Sequence, residues 1–345
     1  MSVVHVVLPG DIDDPASPSG GNGYDRRACQ GLTALGWTVR EHPVPGGWPH
    51  PGAAERVALA GVLAALPDGA AVLLDGLVAS TVPEVLAPHA RRLRLVVLVH
   101  LPLEDDVEAR ALTAATAVVT TSEWTRHRLL DRYPLAADRV TVAPPGVDPA
   151  PVAAGSPAGD RLLCVAAVTP LKGHDVLAAA LHRVVDLPWT CDWVGPLTRD
   201  PDFVARLRRQ LADTGLADRV RLAGPRTGVD LADAYAAADL LVLPSRRETY
   251  GMVVTEALAR AVPVLASDTG GLPGTLGRSP DGERPGLLVP PADPAALSGA
   301  LRRWLTEPDL RDRLRRAARQ RRDTLTGWPV TAQRLATALK EATAA

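Results

Sequence analysis

Two glutamates eight positions apart, Glu248 and Glu256, lie in "SRRETYGMVVTEALARAVPVLASDTGG", which runs from Ser245 to Gly271. The apolar run Leu240–Leu243 before them reads as a buried strand, and Glu248-Thr249-Tyr250-Gly251 fills a loop. The spacing from Met252 to Arg260 then predicts a helix. Free backbone amides at a helix start attract anions, and Gly251 would let a phosphate come close. Carboxylates only accept hydrogen bonds, so two at fixed separation suit a ligand with two sets of hydroxyls. A sugar nucleotide has both, on its hexose and on its ribose. Alone, such spacing is more often ordinary helix charge, with the first glutamate favoured by the macrodipole and the second merely exposed. The neighbouring segments decide which reading applies.

Other residues of the same chemical kind are spread along the chain. Lys172, in "LLCVAAVTPLKGHDVL", stands at a strand-to-helix turn, where it would meet a diphosphate as a point charge. His100 follows the apolar run of "LVVLVHLPLE", and Asp75 ends "AAVLLDG", where it could touch an acceptor or cap a turn. Gly20-Gly21-Asn22-Gly23 precedes a helical pattern and reads as a glycine loop. A dinucleotide fingerprint fails there: Arg26 stands where a third glycine is required, and about a dozen residues separate the loop from the strand. Ala223-Gly224-Pro225, with Arg226 beside it, could read the edge of a nucleobase. No His/Cys cluster has ligand spacing and no Asp-x-Asp stands at a strand end, so no metal is expected.

The elements that must position these residues alternate. Val3–Leu8, Val72–Leu74, Leu95–Val99, Ala117–Thr120 and Val140–Val142 read as strands, with helices at Tyr24–Leu35, Ala53–Leu66, Asp105–Ala115 and Ser122–Tyr133. Continuous apolar runs without alternation are the mark of parallel strands covered on both faces. After the Pro-, Gly- and Ala-rich stretch from Ala143 to Asp160, which reads as a linker, the alternation restarts. Strands are expected at Leu162–Val168, Trp189–Val194, Val220–Leu222, Leu240–Leu243 and Val262–Ala266. Helices are expected at Asp175–Val185, Pro201–Leu211, Leu231–Ala238 and Met252–Arg260, and the tail from Asp293 is helical with a break near "TGWPV". The class is α/β, with two doubly wound halves and a ligand cleft expected at the carboxyl ends of the strands.

Strand, E-x7-E helix, strand, Gly-Gly resembles the family 4 (group 1) glycosyltransferases, which have the two-Rossmann GT-B fold. The resemblance covers nearly the whole chain: "VTVAPPGVD" stands where the family has its domain junction, and "GWPVTAQRLATAL" is similar to its last helix. It implies an acceptor-binding domain over 1–150, a nucleotide-sugar domain over 161–325, and a helix over 326–345 that returns to the first. It further implies a retaining, metal-independent hexosyltransferase that needs no cofactor and uses a nucleotide sugar such as UDP- or GDP-hexose. Glu248 would hold the hexose near the developing oxocarbenium, and His100 would orient it from the other side. Glu256 would fasten the ribose, while Lys172, Gly21 and Asn22 would meet the phosphates. Thr249, Tyr250, Gly251 and Arg226 complete the expected donor site. Two departures stand out: Ala166 and Ala167 occupy the place of a common phosphate-binding arginine, with Arg246, Arg247 and Arg226 as unranked substitutes, and Gly274 stands where a glutamate often follows the Gly-Gly turn.

Composition sets the remaining limits. At 345 residues with Lys+Arg 38 against Asp+Glu 39, the chain carries no global field for nucleic acid or anionic membrane. Cys29, Cys164 and Cys191 are odd in number and set among apolar residues, as buried thiols in a cytoplasmic protein would be. No signal peptide and no transmembrane run is expected. A small-molecule acceptor is favoured over a glycolipid, because no amphipathic basic helix stands in the first half. The sugar, the base and the oligomeric state, a homodimer included, are not legible. Two other classes fit the same fold: a sugar-nucleotide 2-epimerase, and a non-catalytic sugar-nucleotide-binding protein.

Overall fold

Short segments of three to seven residues, most of them rich in Val and Leu, form twelve strands, and the computed structural model describes residues 2–16 and 18–344. In the first half the order is β1 (Val3–Pro9), α1 (Gly20–Ala34), β2 (Thr38–Val44), α2 (Ala53–Ala64), β3 (Ala71–Asp75), α3 (Gly76–Ala79), α4 (Pro83–Leu86), β4 (Arg94–Val99), α5 (Asp106–Ala114), β5 (Ala117–Thr120), α6 (Glu123–Arg132) and β6 (Val140–Val142). These strands make one sheet in the order β2-β1-β3-β4-β5-β6, parallel throughout. Such a sheet needs cover on both faces. One face buries Leu59, Leu63, Leu74, Val97 and Leu112.

The second half runs β7 (Arg161–Val165), α7 (His174–His182), β8 (Thr190–Val194), α8 (Pro201–Asp213), β9 (Val220–Gly224), α9 (Gly228–Ala236), β10 (Leu240–Leu243), α10 (Met252–Ala259), β11 (Val264–Ser267), α11 (Leu272–Leu276), β12 (Gly286–Val289), α12 (Pro294–Thr306), α13 (Pro308–Arg322) and α14 (Trp328–Ala344). Its parallel sheet has the order β12-β11-β10-β7-β8-β9. Trp193, Leu177, Leu207 and Trp304 fill one face, and Leu241, Leu258 and Tyr235 the other.

The chain divides into two compact units: Met1–Asp14, Gly20–Gly146 and Gly327–Ala345 in the first, Pro15–Ser19 and Val147–Thr326 in the second. Helix α14 therefore belongs to the first unit. It lies so close on α1 that a Cβ at Gly31 would come within 2.5 Å of the Ala332 Cβ. Leu335 and Leu339 of α14 are fully buried, and the Thr331 hydroxyl donates to the Pro144 carbonyl at 2.7 Å.

Four differences from the sequence expectations have physical causes. Strand β2, "TVREHPV", escaped notice because it is an edge strand with mostly exposed residues and an internal proline, the position where proline is tolerated. β12 was missed as well; it is the opposite kind of edge, four residues long in the second sheet. The glycines Gly20–Gly23 are not a loop but the first turn of α1, whose burial of Tyr24, Ala28 and Leu32 outweighs the poor helix propensity of glycine. The stretch 147–160 is no free linker. Buried Asp239 accepts from the Ser156 backbone and hydroxyl and from the Arg161 amide, and the Ala153 amide donates to the Arg260 carbonyl at 2.9 Å, so it is strapped to the second unit.

Candidate active site

In the second unit the functional residues lie on loops that leave the carboxyl ends of β7 and β10. Those loops are shaped by glycines. Gly173 has φ +72, and a Cβ there would meet the Pro244 carbonyl oxygen at 2.1 Å. Cβ atoms at Gly270 and Gly271 would fall 1.8 and 2.0 Å from the carbonyl oxygens of Glu248 and Thr249, and the Gly271 amide donates to the Glu248 carbonyl at 2.9 Å. The Glu248 loop is thus gripped by the Gly-Gly turn on one side. On the other, the Arg246 amide donates to the Leu171 carbonyl at 2.8 Å. The outcome is that Lys172 Nζ sits 2.5 Å from Glu248 Oε2, both side chains being largely buried. The two segments carrying them are 76 residues apart in sequence.

Arg246, one of the candidate phosphate ligands, is engaged within the second unit. Its guanidinium forks onto Asp175 at 2.7 and 2.8 Å and donates to the Pro170 carbonyl, which holds the Lys172 turn in place. Its pKa is raised, chiefly by the hydrogen bond to Asp175, and that of Asp175 is lowered although burial works the other way. Arg226 follows β9, the outermost strand and two strands from β7, and is half-buried. Gly274 faces open space, with nothing within 4 Å of a Cβ built there, so the glycine at this position costs the loop no packing.

Gly251, at φ +85, is the residue before the first turn of α10 and is hemmed in by Leu272. Four residues into α10, Glu256 takes a hydrogen bond from the Tyr235 hydroxyl at 2.7 Å through Oε2. Tyr235 is fully buried, and the Arg260 guanidinium lies 4.8 Å above its ring. Burial pushes the Glu256 carboxyl above its ordinary range, with Tyr235 and Arg260 pulling the other way. Burial likewise raises the Tyr250 phenol to about 12, and neighbouring Thr249 is buried. Tyr235 was not anticipated from sequence. It stands in an apolar stripe, and only the fold shows its hydroxyl aimed at a carboxylate.

In the first unit His100 lies just past β4, and its Nε2 is 2.8 Å from Asp25 Oδ1 and 3.5 Å from Asp75 Oδ2. Asp75 serves as the cap of α3, its Oδ1 accepting from the amides of Leu77 and Val78 at 2.7 and 3.2 Å. The Tyr24 ring meets the imidazole edge-on at 5.1 Å, and a Cβ at Gly21 would be 3.4 Å from His100 Cδ2. Asn22, in the same turn of α1, reaches the Asp11 carbonyl at 3.5 Å. Asp25, Asp75 and His100 bring their polar atoms within 4.8 Å of one another, the only such group of three found among the described residues. Within the trio His100 Nε2 and Asp25 Oδ1 share a hydrogen bond, and Asp75 Oδ1 is engaged by backbone amides. Asp25 was missed from sequence; its one signal is an acidic residue in the buried stripe Tyr24, Asp25, Ala28, Cys29, Leu32. A cavity of about 420 Å³, lined by Ser2, His5, Trp37 and Lys340, lies instead at the amino ends of the first sheet's strands.

Two six-stranded parallel sheets, each with helices wound around it and polar residues at the carboxyl ends, define the GT-B class of α/β protein. Residues 156–321 match the family model of glycosyl transferases group 1, and residues 26–151 match that of glycosyltransferase family 4. The chain belongs to this family. It is 35% identical over 252 residues to a D-inositol 3-phosphate glycosyltransferase of Kineococcus radiotolerans, covering 66% of this chain and 57% of that protein. A relative of the same description from Acidothermus cellulolyticus is 36% identical over 230 residues, covering 61% of this chain and 50% of its own length. The chain therefore spans little more than half the length of the curated relatives it matches. Sucrose-phosphate synthase from Thermosynechococcus elongatus superposes with a TM-score of 0.80 at 22% identity, covering 99% of both chains. Anabaena HepE in complex with UDP-glucose gives 0.75 at 18% identity, covering 99% of this chain and all of that one. These two likenesses speak for the fold. No helix among the described residues is long and apolar enough to cross a membrane.

Proposed function

We propose that the protein transfers a hexose from a nucleotide-diphosphate sugar to a hydroxyl of a small-molecule acceptor, with retention at the anomeric carbon. The observation that carries this reading is the Lys172–Glu248 pair, held by Gly173, Gly270 and Gly271 on loops from two neighbouring strands. A cation beside a carboxylate, both fixed by backbone contacts, is what a pyrophosphate joined to a sugar requires. Lys172 neutralises charge building on the leaving diphosphate. Glu248 accepts from hexose hydroxyls and stabilises the positive charge that develops at the anomeric carbon. Glu256 has one oxygen held by Tyr235, which leaves the other to take the ribose diol. His100 orients the hexose, and the first unit binds the acceptor. The amides of the first turn of α1, which have no intrahelical acceptor, add to the phosphate site.

The family relationship and the likeness to D-inositol 3-phosphate glycosyltransferases favour a polyol phosphate or a similar soluble acceptor over a glycolipid. Leaving-group charge is met by Lys172 and backbone amides, so transfer is expected to persist in excess chelator. Screening UDP-, GDP- and ADP-sugars for thermal stabilisation tests the donor: at 100-fold its Kd a true donor adds roughly 2.7 kcal/mol. Incubating that donor with and without myo-inositol phosphate then tests the reaction. A donor altered without any acceptor would point to an epimerase, and a donor bound but never consumed would end the transferase reading.

A further inference from the structure

The cluster around His100 contains a residue to which no role has been given. Asp25 is 2% exposed, on the inner face of α1, and Oδ1 engages His100 Nε2 at 2.8 Å across 75 residues of sequence. Its other oxygen, Oδ2, is buried without a hydrogen-bond partner. A buried carboxylate oxygen left bare is costly unless a proton is shared with it. Asp75 can supply that proton. Its carboxyl is pushed up to about 7, by burial first and by Asp25 next, against the pull of His100. The other nitrogen of the imidazole, Nδ1, has no hydrogen bond among the described residues.

We propose that Asp25 is a positioning residue for the transfer reaction, fixing the His100 ring through Nε2 so that Nδ1 is presented, with its proton, to a hydroxyl of the donor hexose. This rests on the role given to His100 above. The logic is that of other carboxylate–histidine pairs: the acid accepts from Nε2–H, holds the orientation, and stabilises the imidazolium, the form in which Nδ1 also carries a proton. Two carboxyl groups face the ring, Asp25 from α1 and Asp75 from the end of β3. Tyr24, also from α1, offers only its ring edge, because its hydroxyl donates to the Ala143 carbonyl at 2.8 Å. Trp328 of α14 lies behind Tyr24, with ring centroids 5.7 Å apart, and adds no charge. Burial alone would lower the His100 pKa; Asp25 and then Asp75 reverse this, and the net direction is up. The charged form therefore persists above the ordinary histidine range and is lost as pH rises through the elevated value.

Two measurements test this together. The first is the titration of the His100 ring by NMR in the full chain without ligand, in wild type and in Asp25→Asn. A wild-type midpoint above 6.5 that falls by about one unit in the variant is expected. The second is the pH dependence of kcat/KM, using whichever of UDP-, GDP- or ADP-glucose is turned over fastest. The alkaline limb should move to lower pH by the same amount, giving about a tenfold loss on that limb. Asp25→Glu, which keeps the charge, should leave the limb near its wild-type position. A wild-type midpoint at or below 6.5 overturns the proposal, and does so even if Asp25→Asn does not fold. So does a midpoint that moves while the kinetic limb stays still. Wild-type turnover by His100→Gln would instead defeat the role given to His100. If no sugar of the panel is consumed, the proposed function falls, while the ring titration still shows whether Asp25 holds His100.

Discussion

At the scale of single residues, the two glutamates separate by environment. Glu256 is anchored through Tyr235, so Glu256→Ala should weaken donor binding by roughly 1–3 kcal/mol for lost charge-assisted hydrogen bonds, read by calorimetry. Glu248 lies against Lys172, so Glu248→Ala should depress kcat more than it weakens donor binding. Equal losses of both parameters in both variants would refute the division of labour. Asp75 makes a different prediction. A carboxyl whose folded pKa stands at about 7 against an ordinary 3.8 stabilises the fold below pH 3.8 and loses that contribution progressively as pH rises from there to about 7. Asparagine is as good a helix cap as aspartate. Asp75→Asn should therefore raise Tm clearly more at pH 8 than at pH 5, by calorimetric scans at both values. Glu248, Lys172 and His100 were legible because each follows an apolar run, where the chain leaves the sheet, and Glu256 because it stands eight residues beyond Glu248. Asp25 and Tyr235 were not, because nothing local marks a polar group inside a buried stripe as one that faces a partner.

At the scale of elements, the site is a matter of backbone approaching backbone. Gly270→Ala would place a methyl 1.8 Å from the Glu248 carbonyl oxygen at a residue with φ +57. The turn must move, carrying the Glu248 loop with it. We expect loss of donor binding with the chain still folded, checked by circular dichroism beside calorimetry. Gly274→Ala, four residues on in sequence and facing open space, is the control and should leave binding unchanged. The Gly-Gly turn was visible in the sequence, but the reason for it was not, since the crowding comes from a loop twenty residues earlier in the chain. Likewise, the glycine run at the start of α1 looked like a loop because propensity counts against glycine in helices, and tertiary packing overrode it.

At the scale of the whole molecule, the chain is two units, and the first is completed from the far end of the sequence. Removal of residues 327–345 takes away the fully buried Leu335 and Leu339, each worth roughly 1.5–3 kcal/mol, and uncovers the face of α1 around Gly31. Against a typical stability of about 5–15 kcal/mol, such a truncation should unfold the first unit, while the second keeps its own melting transition. One cooperative loss of both units would argue against their independence. The three cysteines are free and buried, and burial raises the Cys29 and Cys164 thiols to about 12. They are expected to resist alkylation until the chain unfolds.

What the sequence determined by itself was the alternation of strand and helix, the restart of that alternation in a second half, and the places where polar residues leave the strands. These are local properties: a run of Val and Leu buries itself wherever it lies in the chain, and a residue at the end of such a run has left the sheet. Only the tertiary structure decided which residues meet. Lys172 finds Glu248, His100 finds Asp25, Glu256 finds Tyr235, and α14 finds α1 across distances that no spacing encodes. Such pairings depend on strand order and on loops whose course is set by a few close backbone contacts, and periodicity carries no information about either.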